Sequence, residues 1–164
     1  MSSIFMNCSK LKELDLSSLN TSKVTNMRNM FCQCTSLEKI NLSSLRTYQV
    51  KDMSSMFLNC SSLKEINLSS FNTNQVTDMS RMFNGCKALK ELDLASFNTN
   101  KVTNMSSMFA YSSSLNLIDL STFTTSFSTD ISDMFNNCTS LTNIKCQDRR
   151  ILNKYQNKQD CIII

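Results

Sequence analysis

Apolar residues recur along this chain at a constant spacing. Phenylalanine returns every 26 residues, and several leucine, isoleucine and valine columns keep the same step. An unbroken period without insertions indicates structural units stacked in register, as in repeat proteins. We therefore divide the chain into units 1 to 6, which begin at residues 1, 27, 53, 79, 105 and 131. The phenylalanine column consists of Phe5, Phe31, Phe57, Phe83, Phe109 and Phe135.

Each unit contains an L-x-x-L-x-L segment, seen in unit 1 at Leu11–Leu16. Leu14 and Leu16 alternate with Glu13 and Asp15, which is the period of a strand with one buried face. Stacked units then predict a parallel β-sheet on one face. Two further apolar positions per unit are predicted to point inward along an extended arc: Leu19 and Val24, Leu45 and Val50, Phe71 and Val76, and Phe97 and Val102.

The remaining part of the unit changes period. Met27, Met30, Phe31 and Cys34 lie at i, i+3, i+4 and i+7, which predicts a helix of about two turns. An Asn or Asp column precedes it and predicts N-caps: Asn26, Asp52, Asp78, Asn104 and Asp130. The column before the cysteines predicts a left-handed turn at the helix end: Asn7, Gln33, Asn59, Gly85, Tyr111 and Asn137.

Residues 53–73 of unit 3 read M-S-S-M-F-L-N-C-S-S-L-K-E-I-N-L-S-S-F-N-T. This unit closely resembles the BspA-like leucine-rich-repeat proteins, which are surface proteins of bacteria and of some parasitic protists. The resemblance recurs in every unit and covers residues 1 to about 146. It implies a surface or adhesive role for some members and no catalytic residues. The predicted fold is a leucine-rich-repeat solenoid (α/β repeat) of stacked 26-residue units, with a parallel β-sheet on one face and short helices on another.

The two ends of the repeat region differ. About six units fill residues 1–146, and residues 147–160 predict a C-terminal capping helix with Ile151, Leu152 and Tyr155 facing inward. Its basic residues, Arg149, Arg150, Lys154 and Lys158, are expected to point outward. Met1 aligns with Met27, so the first unit is expected to lack a cap and to offer an edge for self-association.

The tail, residues 161–164, reads Cys-Ile-Ile-Ile, which is a C-a-a-X pattern with basic residues upstream. In a eukaryotic source it predicts prenylation of Cys161 and peripheral attachment to a membrane; the alternative is an unmodified thiol. No signal peptide is visible, so we expect a cytoplasmic protein, tethered in the prenylated case to the cytosolic face of the plasma membrane. A cell-surface location is the alternative if an export signal was removed.

Composition narrows the chemistry further. The absence of histidine removes Ser-His-Asp and Cys-His nucleophilic systems, and the formal charge of +4 does not demand a nucleic acid. We expect no cofactor and no metal, because structural zinc needs four ligands around one point and a cysteine ladder supplies a line. Cys32 lies off the apolar face of the predicted helix. The ladder is interpreted as buried, reduced thiols at Cys8, Cys34, Cys60, Cys86 and Cys138, with Ser112 replacing one member.

The exposed strand positions are the candidate binding surface for a protein ligand. This predicted strip is largely acidic although the chain is net basic, and adjacent Asp93 and Asp119 are expected to repel each other. The main hypothesis is a non-catalytic protein-protein interaction module, and the alternative is a prenyl-tethered or self-assembling scaffold. An enzyme is disfavoured. The strip consists of Glu13, Asp15, Lys39, Asn41, Glu65, Asn67, Glu91, Asp93 and Asp119.

Overall fold

The computed structural model describes the backbone of residues 1–160 and the side chains of residues 1–156. Three short strands are followed by one helix: β1 (Glu91–Asp93), β2 (Leu117–Leu120), β3 (Asn143–Cys146) and α1 (Arg149–Asp160). The strands form a parallel sheet in the order β1-β2-β3. Partners such as Leu92 and Ile118 are 26 positions apart. This small parallel sheet is compatible with a repeat solenoid.

The short helix predicted in each unit is wrong. Residues 27–34 and their equivalents, which we call the turn wall, form successive turns. The N–H of Phe31 donates to the carbonyl of Met56 in the next unit at 2.9 Å, whereas the N–H of Met30 closes a turn onto Met27 at 3.2 Å. Backbone donors thus alternate between the next unit and their own unit. An α-helix would direct all of them to the residue four positions earlier.

Two left-handed residues per unit explain why the turn wall is not helical. The predicted left-handed column before the cysteines is confirmed, with φ between 56° at Asn137 and 72° at Gly85. A second column, four residues earlier, was not predicted. L-residues tolerate this region only as isolated positions, so a left-handed residue every four positions prevents a continuous right-handed helix. The second column consists of Ser3, Asn29, Ser55, Arg81, Ser107 and Asp133.

The Asn and Asp column at the start of the turn wall does not cap helices. Its members pair with one another as isolated parallel bridges, for example Asn26 with Asp52. The Oδ1 atom of each accepts a hydrogen bond from the N–H two residues later, as Asp52 does from Ser54 at 2.9 Å. These Asx turns begin the turn wall and use the same side-chain chemistry as an N-cap.

The core lies between the strand segments and the turn wall, and its residues come from equivalent positions of successive units. Phe31 and Phe57 stack with ring centroids 5.5 Å apart and planes within 11°. The stack runs from Phe5 to Phe135, where Tyr155 of α1 closes it in an edge-on contact. The arc anchors from Leu45 onward are buried as predicted, whereas Leu19 and Val24 of unit 1 are half-buried.

Buried threonines connect neighbouring arcs. The Thr73 hydroxyl donates to the carbonyl of Asn98 at 2.9 Å and accepts from the N–H of the same residue at 2.8 Å. Thr21, Thr47 and Thr99 make the same pair of bonds to the following unit. Each hydroxyl therefore satisfies a donor and an acceptor that would otherwise be unpaired.

Helix α1 lies within the segment for which the sequence predicts a helix. Ile151 is fully buried, and Asp148 caps the first turn by accepting from the N–H groups of Arg150 and Ile151. The expectation that Arg150 points outward is wrong, because its guanidinium donates to the carbonyls of Ser126 and Thr129. The backbone carbonyls of Ser126 and Thr129, near the end of unit 5, therefore accept hydrogen bonds from a cationic side chain.

The sheet is shorter than predicted, because no strand is formed in units 1 to 3. In those units backbone bonds join only the start of the segments, where Glu38 donates to Lys12 and Lys64 donates to Glu38. The sheet begins at β1 in unit 4.

Candidate functional site

A groove of about 860 Å³ crosses the strand segments of units 1 to 3. It lies on the face that the sequence predicts as the binding surface. Six of the nine predicted positions line it: Glu13, Asp15, Lys39, Asn41, Glu65 and Asn67.

The floor of the groove is apolar. Leu14, Ile40 and Ile66 belong to one column of the repeat, and all three line the groove. Leu14 and Ile66 are half-buried and Ile40 is buried, whereas Leu92 and Ile118 in β1 and β2 are 3% and 0% exposed and Ile144 of β3 is half-buried. The repeat pattern predicts this whole column to be part of the core. No signal in the repeat separates its accessible members from its buried ones.

The difference between these units does not come from local sequence. Residues 11–16 and residues 89–94 are the same hexapeptide, L-K-E-L-D-L. The second copy forms β1 and pairs with β2, while the first copy forms no strand and its central leucine faces the groove. The hexapeptide sequence therefore does not decide whether its central leucine is covered.

Backbone groups along the groove are unpaired with other backbone groups. Within the part of the chain that the structure describes, no backbone–backbone hydrogen bond involves Glu13–Asp15, Lys39–Asn41 or Glu65–Asn67. In β1 to β3 the equivalent positions join a parallel ladder. The groove thus combines an apolar floor with accessible donors and acceptors.

The charged rim of the groove is mainly acidic. Glu13, Asp15 and Glu65 contribute carboxylates, and Lys39 contributes one ammonium group, which lies 3.4 Å from Glu13. This ion pair is well exposed on both sides, so it contributes little to stability. Three carboxylates against one ammonium leave an anionic groove on a chain whose formal charge is +4.

The Asp and Asn column of the strip has a second role in local structure. Asp15 accepts a hydrogen bond from the N–H of Ser17 at 2.8 Å, and Asn41 and Asn67 make the same bond to Ser43 and Ser69. The Ser17 N–H, followed by its hydroxyl, lowers the pKa of Asp15. This carboxylate therefore remains ionised under mildly acidic conditions and keeps its charge at the groove.

The other three predicted positions lie on the sheet, outside the groove. Glu91 and Asp93 are exposed on β1, and Asp119 on β2 is half-buried. The predicted repulsion between Asp93 and Asp119 is moderated, because Lys145 of β3 lies 3.3 Å from Asp119. Hydrogen bonds from Ser121 and this lysine lower the pKa of Asp119.

The cysteine ladder is part of the core. The Sγ atoms of Cys34, Cys60, Cys86 and Cys138 each donate to a phenylalanine carbonyl 29 residues earlier, at 2.9–3.3 Å. The Ser112 hydroxyl makes the same bond at 2.7 Å. Burial raises the pKa of Cys34 to about 11 and of Cys86 to about 12, which keeps these thiols protonated.

Cys8 is exposed, so the prediction that it is buried with the rest of its column is wrong. Cys32 is 2% exposed but is not a member of the hydrophobic core cluster that contains Cys34. Cys161 and the rest of the predicted tail lie outside the described residues.

Groups of His, Cys, Asp or Glu suited to a metal ion are not found among the described residues. Within residues 1–160, α1 is the only helix, and it is neither long nor apolar enough to cross a membrane.

The family of the chain follows from a match over nearly its whole length. A family model described as "Mycoplasma protein of unknown function, DUF285" matches residues 1–90 and 59–159. The chain belongs to this family. DUF285 is grouped with the BspA-like repeat surface proteins, so the family match agrees with the resemblance drawn from the repeat. No curated protein and no solved structure matches the chain.

Proposed function

We propose that this DUF285 chain is a leucine-rich-repeat solenoid that acts as a non-catalytic protein-binding module, with the strand face of units 1 to 3 as its binding surface. The observation that carries the proposal is the groove itself. Two of its three floor residues, Leu14 and Ile66, are partly accessible, its rim is charged, and its strand segments make no backbone–backbone hydrogen bonds. Accessible apolar area flanked by polar groups is typical of interaction sites on proteins.

Many side chains outside the groove stabilise the contacts between units. The ladder thiols, the buried threonine hydroxyls and the stacked phenylalanine rings contact neighbouring units. No buried side-chain nitrogen or oxygen in the described residues lacks a hydrogen-bond partner. The groove rim offers carboxylates and one lysine, and the sequence contains no histidine to serve as a base near neutral pH. These features favour binding over catalysis.

Site-specific photocrosslinking in the native cell tests the proposal. A benzoylphenylalanine at Asn41, which lines the groove, should give one or a few discrete protein adducts. The matched control places it at Gln49, an exposed position in the same unit but outside the groove. Adducts of equal yield and identity at both positions, or none at Asn41, would contradict the proposal.

A membrane-tethered scaffold is the second candidate, and one exposed aromatic side chain favours it. Phe127 is 100% exposed, and it lies next to Ser126, which Arg150 contacts. Arg149 and Lys154 of α1 are exposed at the same end of the chain. An exposed aromatic residue beside cationic groups is suited to the interface of an anionic membrane.

Vesicle co-sedimentation tests the membrane contact. The full chain should sediment with vesicles that contain phosphatidylserine and not with neutral phosphatidylcholine vesicles, and Phe127→Ser should weaken binding about tenfold. Unchanged binding of the variant, or binding to neutral vesicles alone, would rule out this candidate. In a eukaryotic host, loss of membrane association in Cys161→Ser would separately indicate the prenyl tether.

A scaffold could also form by self-association of the chain instead of by membrane attachment. Ile4 and Met6 of unit 1 are 51% and 40% exposed, so the first unit offers apolar surface to a second copy. Sedimentation velocity should then show concentration-dependent association that Ile4→Ser with Met6→Ser abolishes. A monomer at all concentrations would exclude it.

A further inference from the structure

The shape of the groove points to an elongated ligand. Equivalent side chains of three successive units line it, so its features repeat along its length instead of converging on one point. Each unit contributes one apolar residue to the floor and one charged or amide side chain on either side of it. A linear molecule that presents side chains at regular intervals along its length matches such a ladder.

The charge of the groove selects among linear ligands. Glu13, Asp15 and Glu65 surround the apolar floor, and the one ammonium group, on Lys39, is already close to Glu13. The phosphates of a nucleic acid would be repelled by these carboxylates. Cationic side chains would gain an ion pair and, beside the half-buried Leu14, would lie next to apolar surface that accommodates their methylene stems.

From these features we infer that the groove binds an extended peptide segment that contains both lysine or arginine and aliphatic residues. The inference rests on the proposed function and specifies its partner. The cationic residues pair with the carboxylates of units 1 and 3, and the aliphatic residues cover Leu14, Ile40 and Ile66. The strand segments also have backbone groups without backbone partners, which can bond to polar groups of the peptide.

The net charge of the chain does not favour binding of a cationic peptide. The chain as a whole is positive, with a formal charge of +4, so a cationic peptide gains nothing from the net charge. Binding must therefore depend on the local carboxylates. It should weaken as salt rises, because the rim is exposed.

The two identical hexapeptides provide a matched pair of variants. Glu13→Gln with Asp15→Asn removes two charges from the groove, and Glu91→Gln with Asp93→Asn makes the same change in the same local sequence on β1. All four residues are exposed, so neither double variant should unfold the chain. Thermal unfolding of each variant verifies this point.

Fluorescence anisotropy with a labelled Lys-Val-Lys-Val-Lys-Val-Lys peptide is the test. We expect saturable binding to the full chain, weakened about tenfold by the Glu13 and Asp15 changes and less than twofold by the Glu91 and Asp93 changes. Peptides with glutamate for lysine, or glycine for valine, should bind at least tenfold more weakly. These results would support both the charge and the apolar parts of the inference.

Other outcomes would overturn it. Equal loss in both double variants would mean that the peptide binds the whole acidic strip, and equal binding of the lysine-glycine peptide would mean that the apolar floor plays no part. Absence of binding would reject this ligand class. Photocrosslinking at Asn41 remains an independent measurement, so failure of the peptide class and failure of the binding face can be distinguished.

Discussion

Leu14 and Leu92 hold the same position in two copies of one hexapeptide, but only Leu92 is buried, with 3% of its surface exposed. Leu92 lies in β1, where pairing with β2 covers it. Leu14 is half-buried and lines the groove. The same apolar column is therefore buried to different extents along the chain: Leu14 and Ile66 are half-buried in the N-terminal units, although Ile40 between them is buried.

The phenylalanine stack should dominate stability. Phe57→Ala should lower the free energy of unfolding by about 3–5 kcal/mol, because a fully buried ring leaves a cavity between two stacked neighbours. Phe127→Ala is the matched control. It removes a fully exposed ring and should change stability by less than about 0.5 kcal/mol in urea titration. Similar effects of the two substitutions would contradict the placement of the stack in the core.

The threonine column should contribute through its hydroxyls and not through packing. Thr73→Val keeps the shape but leaves the N–H and carbonyl of Asn98 without their partner, so it should cost about 2–4 kcal/mol. Thr77→Val removes an exposed hydroxyl that donates to Lys51 and should cost less than about 0.5 kcal/mol. Equal unfolding free energies for the two variants would show that the Thr73 hydroxyl is not shared between units.

The buried thiols should make the protein sensitive to alkali. Unfolded cysteines ionise near pH 8.5, whereas burial raises the pKa of Cys86 to about 12 and also raises that of Cys60. Above pH 8.5 the unfolded chain therefore binds fewer protons than the folded chain. The stability contributed by these thiols is present in full below that pH and is lost as pH rises towards the folded pKa.

Urea titrations at pH 8, 9 and 10 measure this loss. Each buried thiol should contribute a slope of about 1.4 kcal/mol per pH unit above its unfolded pKa. For the double variant Cys60→Ser with Cys86→Ser, the free energy of unfolding should therefore fall by about 2–3 kcal/mol less per pH unit than it does for the unsubstituted chain. Ser112 shows that the column accepts serine. Cys8→Ser, at the exposed member, is the control and should leave the slope unchanged; a change there equal to that of the double variant would refute the argument.

Asp148 should couple α1 to the last arc. Its Oδ1 accepts from the N–H of Arg150 at 2.9 Å, and its Oδ2 accepts from the N–H and the hydroxyl of Thr125 at 2.7 and 2.9 Å. Asp148→Ala should speed hydrogen exchange at the amides of Arg150 and Thr125. It should also lower the free energy of unfolding by about 2 kcal/mol, because it removes both the helix cap and the hydrogen bonds to Thr125.

Asp148→Asn gives the control for this coupling. The amide has one carbonyl oxygen, so it can serve the helix cap or Thr125 but not both. Only one of the two amides, Arg150 or Thr125, should then exchange faster. If exchange at both is unchanged in Asp148→Ala, the bridge is absent.

Part of this structure could be predicted from the sequence. The period, the strand alternation and the left-handed column all reflect local rules, so side chains such as Phe57 and the φ of Asn59 follow from residue type and spacing. The turn wall could not be predicted in the same way. Met27, Met30 and Phe31 have helical spacing, but their backbone donors bond to the next unit as well as within the turn.

The groove lies beyond what the pattern can predict. The strip residues Glu13 and Glu65 were expected on the exposed face, but nothing in the repeat distinguishes Leu14 from Leu92. Interactions between units add to this, since Asp119 of β2 pairs with Lys145 of β3. Such relationships arise only when the units are placed together.

Hydrogen exchange at single-amide resolution, with and without the lysine-valine peptide, is the decisive test of the proposed binding surface. We expect fast exchange at residues 13–15, 39–41 and 65–67 in the free chain, slow exchange at Leu92 and Ile118, and protection of the first three segments when the peptide binds. Slow exchange of residues 13–15 in the free chain, or protection confined to β1 and β2, would contradict the proposal that the strand face of units 1 to 3 is the binding surface.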